Sequence, residues 1–127
     1  MDTQIAKFAE LAGRILLASL FLLSGLSKLG GGYAGAAGYM QAVGLPTALL
    51  PLVIALEVLG AAAIIVGFQT RLVAFLLAGF SLVSALIFHS HFGDQIQMIM
   101  FLKNVSIAGG FLLLVANGAG PLSLDRR

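Results

Sequence analysis

Between Leu29 and Gln69 the chain carries one charge, the carboxylate of Glu57, in an otherwise apolar and glycine-rich stretch. Such a run has no water-compatible face, and the part around Glu57 is long enough to cross a bilayer. If Pro46 opens a helix at one membrane face, Glu57 lies about 16 Å below it at roughly 1.5 Å per residue, close to the middle of a hydrocarbon core about 30 Å thick. An ionisable side chain at that depth costs about 2.5–3.5 kcal/mol even on the gentler insertion scales. Such residues therefore face a bundle interior and mark a site.

The rest of the composition agrees. Of 127 residues, 60% are hydrophobic and 9% charged, against about 25% charged in soluble domains. The length allows a single domain, residues 1–127, and no separate soluble catalytic module. Net charge is only +2, with no basic cluster or basic–aromatic interleaving, so nucleic acid is not the partner. Cysteine is absent, which excludes dithiol exchange, cysteine-held clusters and thiolate catalysis by this chain.

Four apolar segments predict spanning helices at about residues 11–29, 46–67, 72–89 and 96–117. Backbone groups in lipid must be satisfied within the segment, so these are helices and not strands. Short connections at 67–71 and 91–95 make the fold an all-α integral membrane protein, a four-helix up-down bundle. The glycine-rich stretch 30–44, with Tyr33, Tyr39 and Met40, reads as a short outer interfacial segment between the first two spans. The first span mimics a signal peptide, with Ala34-Gly35-Ala36 as the cleavage site, but Glu10 and Arg14 interrupt its flank, so it is read as a retained helix. Lys7, Arg14, Arg71, Arg126 and Arg127 fall on one side and only Lys28 and Lys103 on the other, which predicts that both termini are cytoplasmic.

Each segment carries small or polar residues at helical spacing: Arg14, Ala18, Phe21, Gly25 and Lys28; Glu57, Gly60, Ile64 and Gly67; Ala74, Ala78, Ser81, Ala85 and His89; Lys103, Ser106, Gly110 and Asn117. Close helix packing accounts for the small residues. It does not account for the charges. Lys103, about 10 Å along its helix, can reach Glu57 from the outer side, and Arg14 competes from the other. One reading is a buried ion pair that fixes helix register. The other is a polar chamber open to the outer face, lined by Lys28, Glu57, His89, Lys103 and Asn104, where a small ligand exchanges protons. His89 and His91 stand two apart, so on a helix their rings diverge, and His91 with Asp94 lacks a third ligand; no metal site is expected. Haem is not expected either, because both histidines share one helix end.

The string Arg14-Ile15-Leu16-Leu17-Ala18 leading to Ser24-Gly25-Leu26-Ser27-Lys28-Leu29 resembles the first helix of the DoxX family. So do Gly44-Leu45-Pro46 before Glu57-Val58-Leu59-Gly60, and Gly67-Phe68-Gln69-Thr70-Arg71-Leu72-Val73-Ala74. His89, Lys103-Asn104 and Ala108-Gly109-Gly110 complete the pattern, in order and over nearly the whole chain. The resemblance implies a small, multi-pass bacterial inner-membrane protein whose family polar positions are Arg14, Lys28, Glu57, Arg71, His89 and Lys103. It also implies an association with quinone-linked oxidation of sulfur compounds, as a thiosulfate:quinone oxidoreductase subunit, and with membrane-attached redox complexes.

Three functions follow as expectations. The first is an accessory subunit of a quinone-linked oxidoreductase, binding quinone or another lipophilic ligand beside Glu57, with no self-contained catalytic motif. The second is an oligomeric transporter or channel for protons or small solutes. The third is a structural subunit of a larger membrane complex. The partners expected are the lipid bilayer and either further copies of the chain or other membrane redox subunits.

Overall fold

The computed structural model describes residues 3–88 and 93–126, and every described element is helical or irregular. Four long helices, α1 (Thr3–Ser27), α3 (Leu50–Val66), α4 (Thr70–Phe88) and α5 (Gln95–Asn117), run up and down, and a shorter α2 (Gly32–Ala42) bridges the first two. All four are long and apolar enough to cross a membrane once the turn before α3 is counted.

Several boundaries differ from the hydropathy-based ones for local reasons. α1 begins at Thr3, not near residue 11, because Gln4, Ala6, Lys7, Ala9 and Glu10 are good helix formers that continue the helix beyond its apolar part. The second span opens as a 3-10 turn, Thr47–Leu49, because Pro46 is extended and Pro51 suits only a first helical turn. Asp94 starts α5 by accepting a hydrogen bond from the Ile96 amide at 2.9 Å. His89 and His91 lie outside the described residues.

α1 packs along α3 and α4 along α5, α3 joins α4, and α1 meets α5 over a smaller contact. The core holds Ala18, Phe21, Ala61, Ile64, Ala74, Leu77, Ala78, Ala108 and Phe111. Small residues dominate it because lipid chains are as apolar as leucine, so close helix approach, not exclusion from water, drives association. The outward faces are apolar instead: Leu16, Leu23, Leu59 and Leu113 are each about two-thirds exposed or more, as expected of a lipid-facing belt.

The buried faces of α1, α3 and α4 follow the expected stripes. α5 does not. It buries Ala108 and Phe111, whereas Ser106 and Asn117 face outward and return their hydrogen bonds to Leu102 O and Leu113 O of their own helix. A polar side chain satisfied one turn back needs no partner helix, and the bulk of Phe111 takes the interior place.

At the end of the bundle that carries both termini, the residues after α5 fold back across α3. Leu124 N donates to Val66 O at 2.9 Å and Asp125 N to Gly67 O at 2.8 Å. Gly67 is required twice there. It ends α3 at φ +73°, a conformation strained for any side chain, and a Cβ would lie 2.1 Å from Ser123 Cβ. The Asp125 carboxylate then accepts from the amides of Gln69 and Thr70, capping α4 at 2.9 and 2.8 Å.

Candidate functional site

The polar groups meet where α1 passes α3 near α2. Gly25 sets the spacing: a Cβ there would lie 2.6 Å from Val58 Cγ2 and 3.1 Å from Glu57 Cβ. With the backbones this close, Lys28, just past the end of α1, folds its side chain back along the helix. Its Nζ donates to Ser24 Oγ at 2.6 Å, to Ser24 O at 3.3 Å and to Glu57 Oε1 at 2.6 Å. An ammonium has three protons, and here each has an acceptor. The Glu57 side chain is 5% exposed and that of Lys28 25%.

This corrects the expected pairing. The partner of Glu57 is Lys28, not Lys103 or Arg14. Glu57 is seven residues into α3, which runs antiparallel to α1, so a lysine at the end of α1 needs only its own stem to reach it. Arg14 is fully buried at the opposite end of α1, where its guanidinium donates to Ile64 O and Ile65 O at 3.2 Å and to Leu122 O. Those carbonyls are left without helical partners where α3 ends and the tail crosses it, and a planar fork of donors suits them. Arg14 thus closes the terminal end and does not join the Glu57 group.

Above the ion pair lies a cavity of about 610 Å³, within the usual range for small-molecule sites. Of the residues singled out in the sequence, Lys28, Glu57, Lys103 and Asn104 all line it. Asn104 Nδ2 donates to Ser81 O over a long 3.4 Å, and Ser81 Oγ donates to Leu77 O at 2.8 Å. Lys103 forms no ion pair among the described residues.

Toward the bundle centre, Phe21 and Phe80 line the cavity with ring centroids 6.3 Å apart, and Phe111 meets Phe21 edge-on at 5.4 Å, so aromatic rings floor the chamber. The roof is α2, which contributes Ala36, Tyr39 and Met40; Met40 is buried, and Tyr39 stacks on Phe88 at 5.0 Å. Leu49, Leu50, Val53 and Ile87 supply apolar wall. Sequence reasoning missed Ser81 and Ser84 as lining residues, although their spacing of three on α4 places them on one face. The chamber joins apolar walls to a buried carboxylate and two lysines, so its lining is apolar along most of its length and polar at the ion pair.

The DoxX family model matches residues 9–90. The chain is 49% identical over 116 residues to inner membrane protein YqjF of Escherichia coli K12, covering 91% of this chain and 88% of that protein. It is 42% identical over 124 residues to inner membrane protein YphA of the same organism, covering 92% and 88%. No solved structure matches.

Proposed function

The chain belongs to the DoxX family, and from that premise we propose that it is a bacterial inner-membrane protein that holds a lipophilic ligand by its polar head in the chamber beside Glu57, as an accessory to a quinone-linked redox system. The observation that carries this reading is the 610 Å³ cavity, apolar along its walls, into which Lys28, Glu57, Lys103 and Asn104 converge. A pair that served only to fix helix register would need no space beside it. A quinone bound there would supply the electron chemistry; the chain's own part is to seat the head among donors and keep the tail in apolar surroundings. The relatives' names, both inner membrane proteins, support the location.

The arrangement favours binding over permeation by one protomer. The aromatic floor closes the chamber on one side, and Arg14 with the folded-back tail closes the far end of the bundle.

The test is mass spectrometry of lipid extracts from purified wild type, Glu57→Gln and Ser84→Phe, the last filling the cavity. A quinone or other lipophile retained by wild type and lost from Ser84→Phe is expected. The same ordinary phospholipids in all three proteins would reject the reading.

A further inference from the structure

We infer that the ligand of this chamber has an anionic head and that Lys103 selects it. The inference rests on the chamber being a ligand site and narrows which lipophiles it takes. Among the described residues the charges that line the cavity do not balance: two lysines, Lys28 and the exposed Lys103, stand against one carboxylate, Glu57. Lys28 and Glu57 satisfy each other, with Ser24 taking the remaining ammonium protons. The Lys103 ammonium is left over, with neither hydrogen bond nor ion pair among the described residues.

Lys103 stands eight residues along α5 from Gln95, about 12 Å at the helical rise, beyond the depth of a solvated helix end. A lysine at that depth in a spanning helix is costly without a counter-charge. The surroundings suit an anion's oxygens. Asn104 Nδ2 is held only by a 3.4 Å bond, and the Ser84 hydroxyl makes none among the described residues, so both can turn to an incoming acceptor. Among the described residues no second carboxylate lines the cavity to repel it. The apolar wall of Leu49, Leu50, Val53 and Ile87 takes the chain. The class is an acidic amphiphile, with a carboxylate, phosphate or acidic enol head on an apolar tail. A neutral quinone accepts the same hydrogen bonds but leaves the charge unbalanced, so it binds more weakly than an acid of similar tail length.

The full chain in phosphatidylcholine nanodiscs is titrated with tritiated oleate, oleyl alcohol and decylubiquinone, with empty discs as baseline. Oleate is expected to bind about tenfold tighter than the alcohol, the scale of one charge-assisted hydrogen bond. Lys103→Met should bring oleate down to the level of the alcohol measured in the same variant, while Lys103→Arg keeps the preference. Equal binding of the three probes, abolished by Ser84→Phe, would overturn the anionic head and leave the chamber reading standing. A preference for oleate that survives Lys103→Met would overturn Lys103 as the residue that selects the head. No binding above empty discs by any probe would overturn both. In phosphatidylglycerol discs, loss of oleate binding identifies the anion as a lipid headgroup, and unchanged binding identifies a free acid.

Discussion

Lys28 and Glu57 lie 29 positions apart in sequence and meet at 2.6 Å between Nζ and Oε1. The contact is built by its neighbours. Gly25 lets α1 approach α3 closely enough, and Ser24 takes two of the ammonium's donors so that the side chain is held pointing inward. The pair occupies the inner wall of the chamber and sets its polarity. A carboxylate this buried is tolerable in lipid because the charge beside it is fixed and not merely nearby.

Breaking the pair from one side should therefore cost more than removing both members. Loss of one partner of a fully buried pair costs about 3–5 kcal/mol; because Lys28 is partly exposed, Lys28→Met should lose about 1–3 kcal/mol in detergent unfolding. Lys28→Met and Glu57→Gln should be non-additive by more than about 0.5 kcal/mol. Lys103→Met and Glu57→Gln should add to within about 0.3–0.5 kcal/mol. The opposite pattern would show that Lys103 is the working partner in the membrane.

Gly25→Ala tests the close approach. The new Cβ would meet Val58 Cγ2 at 2.6 Å and the Val58 amide nitrogen at 3.3 Å, so both a side chain and a backbone must yield. A loss of about 1–3 kcal/mol is expected, the usual range for overpacking. Val58→Ala in the same protein should restore part of it, because it removes the nearest atom and leaves the backbone contact. A Gly25→Ala protein as stable as wild type would mean the helices pack less tightly than described.

Much of this bundle was legible because membrane helices announce themselves by length and by small residues at helical spacing. Arg14, Ala18, Phe21 and Gly25, read as one face, are the buried residues of α1. The face of α5 was not legible, since a serine or asparagine that bonds its own helix looks in sequence like one that bonds a neighbour. Of the polar residues that line the chamber, Lys28, Glu57, Lys103 and Asn104 were singled out from depth, but Ser81 and Ser84 were not, nor was it legible which amine pairs with Glu57. Depth arithmetic places Cα atoms, whereas the pairing depends on helix adjacency and on the reach of a lysine stem folded back on its helix. The role of Asp125 was illegible because it depends on the chain reversing after Gly118.

That reversal makes Asp125 a capping residue supplied from 55 positions away, judged by its bond to the Thr70 amide. Asp125→Ala should cost about 0.5–2 kcal/mol, as for other lost N-caps. Asp125→Asn, which keeps an acceptor, should lose less. Neither should change ligand retention, because the tail lies at the end of the bundle opposite the chamber. Reduced retention together with unchanged unfolding would show that the tail communicates with the chamber.

Orientation can be tested directly because the chain has no cysteine of its own. Five of the seven Lys and Arg residues lie on the side of the termini and the α3–α4 turn, so that side should face the cytoplasm and α2 the opposite side. Single cysteines are placed at Gly38, which is exposed on α2, and at Leu124, exposed in the tail. In intact spheroplasts a membrane-impermeant maleimide should label Gly38→Cys and spare Leu124→Cys until the membrane is opened. The reverse pattern would place the chamber's roof on the cytoplasmic side, and the acidic amphiphile would then have to arrive from within the cell. Labelling of both positions in intact spheroplasts would mean that the chain inserts in two orientations. The chamber would then serve both faces of the membrane.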